Sequence, residues 1–142
     1  MPAPAILIRE VSAEDCLPIR HAVLWPDLPP AHCLLPDDAT AIHLGAEVAG
    51  RLVGVASLCP LGAHRYQLRK FAVLAAHQGQ GVGRAILSHA LDALRARAAR
   101  ELTLDARLGA TAFYARFGLR PAGEVFTKHG LPYQRMSLPL LA

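Results

Sequence analysis

The sequence predicts an α/β fold, a mixed sheet with helices between some of its strands. Several short stretches alternate between apolar and polar residues, as strands do, whereas residues 83–99 repeat apolar residues at helical spacing. In that segment Leu87, Leu91, Leu94 and Ala98 recur at spacings of four, three and four. Because 142 residues suit one domain, we expect residues 1–142 to form a single domain.

The chain begins with a predicted strand and helix. Residues 6–11 alternate well enough for a first strand. Ser12 and Asp15 match the capping-box pattern, so a helix should follow to about Leu24. Pro18 lies within this helix, so its first turn should be irregular or its start delayed.

A proline-rich loop and a hairpin come next. Residues 25–38 contain four prolines and predict a surface loop that flanks a site. The stretches 41–48 and 52–59 predict two strands joined by a turn at 49–51.

The second half of the chain predicts a crossover followed by a last hairpin. Its elements are a strand at 66–75, the helix at 83–99, a strand at 101–106, a short helix at 108–118 ended by Gly118, and two strands at 119–127 and 133–142 around a turn at 128–130. The first two strands of this set should run parallel, joined by a right-handed crossover through the long helix.

Composition and charge exclude several classes of protein. The 15 basic and 11 acidic residues give a net charge of only +4, and no basic cluster is interleaved with aromatic residues, so we expect no nucleic-acid partner. Cys16, Cys33 and Cys59 are an odd number without CxxC spacing, so we expect neither a disulfide framework nor a metal site. No signal peptide begins the chain and no apolar run approaches ~20 residues, so we expect a cytoplasmic protein with no membrane partner.

Three glycines alternate just before the long predicted helix, at Gly79, Gly81 and Gly83 in the stretch HQGQGVGRAIL. The first N–H groups of a helix have no partner within it and lie at the positive end of its dipole, and glycine lets a ligand approach the backbone closely. The turn therefore favours a phosphate or pyrophosphate, or it is a tight turn that holds no ligand. The dinucleotide fingerprint fails, because the sixth residue counted from Gly79 is Arg84 and from Gly81 is Ile86. The P-loop pattern also fails, since no Gly-Lys-Ser/Thr is present.

Three stretches resemble motifs of the GNAT superfamily of N-acetyltransferases and occur in that family's order. QGQGVG at 78–83 is similar to the family's Gln/Arg-x-x-Gly-x-Gly/Ala motif, and FAV at 71–73 looks like the strand end before it. ATAFYARFGL at 110–119 is similar to A-x-x-F-Y-x-x-x-G-F, with Leu119 in place of the final Phe. The resemblance implies the GNAT acyl-CoA N-acyltransferase fold, a central and mostly antiparallel sheet with flanking helices. It also implies an acetyl-CoA-dependent N-acetyltransferase.

The resemblance implies acetyl-CoA (coenzyme A) as the cofactor and two segments that contact it. Backbone N–H groups of the glycine turn should hold the pyrophosphate, and they belong to Gln78, Gly79, Gln80, Gly81, Val82, Gly83 and Arg84. The strand end at Phe71, Ala72 and Val73 should pair with the amides of the pantetheine arm, as an added strand would. Arg84 adds charge near the phosphates or is a solvated arginine. Arg107 stands where the family often has Asn, and it is either a cofactor or acceptor contact or a solvated residue.

Tyr114 and Val73 are the catalytic residues that the resemblance implies. The tyrosine of the family's F-Y pair lies near the thioester sulfur, so Tyr114 should act as general acid, giving the leaving thiolate a proton or a strong hydrogen bond. The alternative is a packing tyrosine with its hydroxyl at the surface. The N–H of Val73 should polarise the acetyl carbonyl oxygen.

The general base is not identified by the sequence. Many members of the family use a Glu on the strand before the glycine motif, but here that strand carries Arg69 and Lys70 and no carboxylate. Glu47, His43 and His64 are candidates by their positions near predicted strand ends, and each is otherwise an ordinary surface or packing residue. A water chain or backbone carbonyls would also serve.

The acceptor should be a primary amine, of a small molecule or a protein, that attacks directly in a ternary complex. We expect residues 25–38 and the hairpin at 128–133 to border its side of the site. Trp25 either lines this pocket or packs at the end of the first helix. Arg69 and Lys70 suggest an acceptor with an anionic part, although strand alternation should send the two to opposite faces. Two alternatives stay open: a non-catalytic acyl-CoA sensor of the same fold, and a different nucleotide-binding α/β domain. The protein should be a monomer or a homodimer.

Overall fold

The computed structural model describes residues 5–140, which form eight strands and three α-helices. They are β1 (Ile6–Glu10), α1 (Ala13–Leu24), β2 (Ile42–Val48), β3 (Arg51–Gly62), β4 (Arg65–Val73), α2 (Val82–Ala96), β5 (Glu101–Arg107), α3 (Thr111–Ala115), β6 (Arg120–Pro121), β7 (Phe126–Lys128) and β8 (Leu131–Pro139). The predicted α/β class is therefore confirmed. The chain divides into two compact units, Met1–Cys59 with Arg69–Ala93 and Pro60–Leu68 with Leu94–Ala142. The single-domain expectation for residues 1–142 stays a prediction.

The first unit contains the strand order β1-β2-β3-β4 and helix α1. Strand β2 pairs antiparallel with both β1 and β3. The capping box that begins α1 is confirmed, because the Asp15 N–H donates to Ser12 Oγ at 3.0 Å and the Ser12 N–H donates to Asp15 Oδ2 at 3.2 Å. The helix begins at Ala13, so Pro18 does not delay its start.

The core of the first unit forms where both helices cover the sheet. Helix α1 buries Cys16 and Ile19 against Val55 of β3 and Ala72 of β4. Burying apolar side chains of this size contributes roughly 1.5–3 kcal/mol each. Helix α2 presents one buried apolar face in this unit, made of Val82, Ile86, Leu87, Ala90 and Leu91.

Gly54 of β3 allows the start of α2 to pack closely on the sheet. A Cβ at this position would lie 3.0 Å from both Val82 Cγ1 and Ile86 Cδ1, and 3.4 Å from the Ala72 carbonyl oxygen. A side chain here would therefore press on the first turn of α2.

The second unit contains the strand order β4-β5-β8-β6, with β7 paired to β8. The pairing of β4 with β5 is parallel, which confirms the predicted parallel relation, and that of β5 with β8 is antiparallel. Alternate residues of β5, Leu102, Leu104 and Ala106, are buried, as a strand with one apolar face requires.

Several predicted boundaries differ from the structure. The strand predicted at 66–75 is β4, which ends at Val73 before the 3₁₀ turn at Ala75–His77, and three other differences have clear local reasons. Helix α2 ends at Ala96 rather than Ala99, because Ala98 adopts a left-handed φ of 56° and the N–H of Ala99 bonds back to the Leu94 carbonyl. The segment 108–118 is helical only at Thr111–Ala115, after a 3₁₀ turn at Leu108–Ala110. The segment 119–127 is two short strands, interrupted where Gly123 has a φ of 86°. Residues 141 and 142 of the last predicted strand lie outside the described residues.

Candidate functional site

The glycine turn that connects β4 to α2 has the backbone conformation of an anion-binding turn. Gly79 and Gly81 adopt φ values of 76° and 88°, in the left-handed region that favours glycine. Gly81 precedes α2, and its carbonyl accepts from the Ala85 N–H at 3.0 Å. The N–H groups of Val82, Gly83 and Arg84 therefore have no acceptor inside the helix.

Two glutamine side chains hold this turn in place. Gln78 Nε2 donates to the Val73 carbonyl at 2.9 Å, which ties the turn to the end of β4. Gln80 Nε2 donates to the Ala76 carbonyl at 3.3 Å. The sequence pattern assigned both residues to the turn through their backbone, and it did not predict these two side-chain contacts.

The surroundings of the turn suit a pyrophosphate. The first turn of α2 contains no acidic residue, so the positive end of the helix dipole meets no competing carboxylate. A Cβ placed on Gly79 or Gly81 would meet nothing within 4 Å, so the backbone borders open space. Arg84 is exposed in the first turn of the helix, where its charge favours an anion.

Lys70 gives the last part of β4 an irregular backbone. Its parallel ladder with β5 runs over three pairs, and the last of these is Gln67↔Thr103, well before the strand ends at Val73. Lys70 has a φ of 53°, which is rare for a residue other than glycine and interrupts the regular alternation of the strand. The strand end Phe71, Ala72 and Val73 follows directly, and Ala72 is buried whereas its two neighbours are half-buried.

A histidine next to the turn was missed by sequence reasoning. His77 closes the 3₁₀ turn at Ala75–His77, and its Nδ1 atom is buried with no hydrogen-bond partner in the part of the chain that the structure describes. The sequence shows that His77 directly precedes Gln78, but no local pattern predicts that an imidazole nitrogen is buried there.

The predicted general acid lies in the second unit. Tyr114 belongs to the short helix α3, and its ring meets the edge of Phe113 at 5.1 Å between centroids. Burial raises the pKa of the Tyr114 phenol to about 12. The hydroxyl therefore keeps its proton throughout the neutral range and is a hydrogen-bond donor there.

Arg107 lies at the exposed end of β5, opposite Tyr133 in the register with β8. Its neighbour on the same strand, Asp105, forms ion pairs with Arg135 at 2.9 Å and with Lys128 at 3.7 Å. Hydrogen bonds and charge from that carboxylate raise the pKa of Arg135. Asp105 is thus already neutralised by two cations.

Two of the three candidates for the general base already have partners. His43 is buried, with Nδ1 2.7 Å from Ser57 Oγ and Nε2 2.8 Å from the Asp38 carbonyl oxygen. Glu47 is paired with Arg9. His64 lies exposed in the turn between β3 and β4, with a φ of 60°. Among residues 5–140, the structure gives no hydrogen bond to the His64 imidazole.

A buried arginine anchors the loop that follows α1. Arg20 is 0% exposed and donates through both terminal nitrogens to the Asp38 carboxylate, each at 3.0 Å. It also donates to the Cys33 carbonyl at 3.0 Å and to Ser57 Oγ at 2.8 Å. Burial alone would raise the pKa of Asp38, but hydrogen bonds from Arg20 and from the Leu35 N–H outweigh it and lower the pKa below its usual value.

Residues 35–140 match the family model described as an acetyltransferase (GNAT) domain. The chain belongs to the GNAT acetyltransferases. As a member of that family it is an acetyl-CoA-dependent N-acetyltransferase, as the sequence motifs predict. The turn before α2 is the element of this GNAT chain whose donors suit the pyrophosphate of that cofactor.

Several known proteins are similar to this chain in sequence or in fold. The uncharacterized N-acetyltransferase YitI of Bacillus subtilis is 29% identical over 132 residues, which cover 87% of this chain and 89% of YitI. The crystal structure of Escherichia coli ElaA matches with a TM-score of 0.82 at 22% identity, covering 94% of this chain and 99% of ElaA. A GNAT family acetyltransferase from Elizabethkingia anophelis, crystallised with acetyl-CoA bound, matches with a TM-score of 0.76 at 17% identity over 95% of this chain and 98% of its own. These structures confirm the GNAT fold. In the described part of this chain, no helix is both long and apolar enough to cross a membrane.

Proposed function

We propose that this enzyme transfers the acetyl group of acetyl-CoA to a primary amine by direct attack, with both substrates bound at once. The observation that carries the proposal is the turn before α2. There Gly79 and Gly81 are left-handed, and the N–H groups that follow have no acceptor within the helix. Holding both reactants in one complex replaces a bimolecular step by an effectively unimolecular one.

The cofactor contacts follow from the resemblance and fit the local geometry. The N–H groups of residues 78–84 should hold the pyrophosphate. The backbone at Phe71, Ala72 and Val73 should pair with the pantetheine arm. Arg84 and Arg107 should add positive charge, since both are exposed. When bound, acetyl-CoA supplies an acetyl group activated as a thioester.

Tyr114 is proposed to stabilise the leaving thiolate, either as a general acid or as a hydrogen-bond donor. With a pKa of about 12, its phenol is a weaker acid than a thiol with a pKa near 8.5. Complete proton transfer to a thiolate would therefore be uphill by about 5 kcal/mol. We accordingly assign to Tyr114 the donation of a strong hydrogen bond to the leaving sulfur, with the proton remaining on the phenol oxygen.

Val73 is the proposed donor to the acetyl carbonyl oxygen. Its own carbonyl accepts from Gln78 Nε2 at 2.9 Å, so the glycine turn and the strand end are held together. A donor fixed before the reaction need not reorganise when negative charge develops on the oxygen.

No carboxylate lies on β4, and both ring nitrogens of His43 are engaged, so we assign removal of the amine proton to a water chain that passes it to solvent. Backbone carbonyls would accept hydrogen bonds from the amine and orient it. An acceptor with a lysine-like pKa near ~10.4 is mostly protonated at neutral pH. Activity should therefore rise with pH as the fraction of free amine rises.

The absence of a carboxylate on β4 also keeps a second candidate function open, that of a non-catalytic acyl-CoA sensor. The deciding experiment incubates the purified protein with acetyl-CoA and a panel of primary amines, and follows free thiol and acetylated product by mass spectrometry. Turnover that needs both substrates supports the enzyme. Tight acetyl-CoA binding without thiol release for any amine or peptide N-terminus supports the sensor. We further propose that residues 1–142 act as one domain, as a monomer or homodimer in the cytoplasm.

A further inference from the structure

We propose that Arg69 and Lys70 bind an anionic group, a carboxylate or a phosphate, carried by the acceptor amine. This inference rests on the proposed function and specifies the class of acceptor. The amine would thus be an amino acid or an aminoalkyl phosphate rather than a neutral or polycationic amine.

The backbone of Lys70 departs from that of a regular strand. In a regular strand, adjacent side chains point to opposite faces. The φ of 53° at Lys70 interrupts this alternation. Each cation contacts the proline-rich segment, residues 25–38. Arg69 Nη1 lies 4.0 Å from Asp37 Oδ2, and Lys70 Nζ lies 4.0 Å from the centre of the Trp25 ring.

A non-glycine residue in the left-handed region costs free energy, and such residues concentrate at ligand sites. Lys70 directly precedes the strand end, residues 71–73, that is proposed to hold the pantetheine arm. A ligand anion at Lys70 would therefore lie next to the segment proposed to hold the reacting group.

The ion pair between Arg69 and Asp37 is weak. Arg69 is paired with a single carboxylate, Asp37, at the 4.0 Å limit of an ion pair, and the Asp37 side chain is 52% exposed. An exposed pair of this kind is weak, so a ligand anion competes with Asp37 at little cost. Arg69 offers a planar fork that binds a carboxylate or phosphate through two hydrogen bonds. Lys70 is held over Trp25 by a cation–π contact.

Contacts within the protein hold parts of the proline-rich segment in place without a ligand. The ring of Trp25 meets the edge of His32 at 5.0 Å, within the same segment. Arg20, fully buried, ties Cys33 and Asp38 to Ser57 of β3. Since Asp38 follows Asp37, this anchor sets the position of the carboxylate that Arg69 meets. Preorganisation of this kind lowers the cost of ordering a site on binding.

The test uses pairs of amines that differ in the anionic group. Glycine is compared with glycinamide, and O-phosphoethanolamine with ethanolamine, in the acetyl-CoA assay. The variants Arg69→Gln and Lys70→Gln are compared with Arg51→Gln, which removes an exposed arginine from β3. The ratio of kcat/KM between the two members of a pair, taken relative to wild type, cancels the different basicities of the amines.

We expect wild type to favour the anionic member, and Arg69→Gln or Lys70→Gln to lower that preference by about tenfold or more. The affinity for acetyl-CoA and the ratio in Arg51→Gln should not change. Wild-type kcat/KM values are compared per concentration of unprotonated amine, because glycinamide is less basic than glycine. Equal values for both members on this basis, or an equal loss for both in the variants, would overturn the inference while leaving the N-acetyltransferase proposal intact.

A second readout does not need turnover. Trp25 is the sole tryptophan of the sequence, so its fluorescence reports on this cluster alone. N-acetylglycine should change the emission in a saturable way that Lys70→Gln abolishes, whereas N-acetylglycinamide should not. If no amine is acetylated, the proposed function fails and this titration decides the anion site by itself. The same response to both compounds, or to neither, would refute the site.

Discussion

Replacing Tyr114 by Phe removes one hydroxyl group and leaves the ring that packs against Phe113. The substitution therefore tests the proposed chemistry with little change in packing. The backbone of α3 is not altered, and the N–H of Leu119 keeps the Tyr114 carbonyl, 3.4 Å away, as its acceptor.

The expected size of the effect follows from the acidity of the phenol. With its pKa raised to about 12 by burial, Tyr114 donates a hydrogen bond rather than a whole proton to the leaving sulfur. Removing one preorganised donor of this kind lowers kcat by about 10²–10³-fold, or about 2.7–4 kcal/mol. The affinity for acetyl-CoA should change by less than about threefold, since a ground-state contact to sulfur is weak.

Steady-state rates and calorimetric titration, done on the same preparations, separate the two quantities. Because the Tyr114 phenol stays protonated to about pH 11, the wild-type rate should rise with pH as the amine loses its proton and should show no fall below about pH 10. A loss of less than about threefold in kcat would refute the assigned role. So would a fall in rate near pH 9 that Tyr114→Phe removes.

The other predictions concern the first unit. Asp38→Asn should lower the free energy of unfolding by about 3–5 kcal/mol in urea titrations, because it leaves the buried Arg20 cation unpaired, whereas Asp37→Asn, at an exposed neighbour, should cost less than about 0.5 kcal/mol. Because the pKa of Asp38 is lowered in the folded protein, its contribution to stability is full above about pH 4 and is lost as pH falls through that lowered pKa. Acid titrations of stability should therefore show a loss below about pH 4 that is smaller in Asp38→Asn, and equal losses would contradict this. Gly54→Val should cost about 1–3 kcal/mol and weaken acetyl-CoA binding, since its side chain would press on Val82 at the start of α2. Gly109→Val, where a Cβ meets nothing within 4 Å, should leave stability nearly unchanged, and a similar loss in both variants would show that packing at Gly54 is not the cause.

Local patterns in the sequence predict much of the fold. The Ser12–Asp15 pair fixes the start of α1, and the helical spacing of apolar residues locates α2 within a few residues. These features depend on hydrogen bonds and packing between near neighbours, which a short window of sequence contains. The strand–helix–strand crossover predicts the parallel relation of β4 and β5, and the motifs that resemble the GNAT family predict the family itself.

Features that depend on distant contacts were not predictable in this way. Arg20 lies in a helix and resembles any solvated arginine, yet it is fully buried by partners 13, 18 and 37 residues away. The left-handed conformation of Lys70 likewise has no local signal, because lysine does not favour it. The contacts of Arg69 with Asp37 and of Lys70 with Trp25 join residues far apart in the sequence and likewise have no local signal.

We propose above that the glycine turn before α2 holds the pyrophosphate of acetyl-CoA. Calorimetric titration of wild type, Gly81→Val and Gly50→Val with acetyl-CoA tests it most directly. Gly50 is a matched control, because both glycines have left-handed φ values, 88° and 78°, and open space around a Cβ, while Gly50 lies in the turn between β2 and β3. Both variants should lose roughly 1–2 kcal/mol of stability to the same backbone strain.

We expect wild type and Gly50→Val to bind acetyl-CoA with similar affinity, and Gly81→Val to bind at least about a hundredfold more weakly, since its side chain occupies the space that a pyrophosphate needs. Equal binding by the two variants, or no binding by wild type at millimolar acetyl-CoA, would contradict the account.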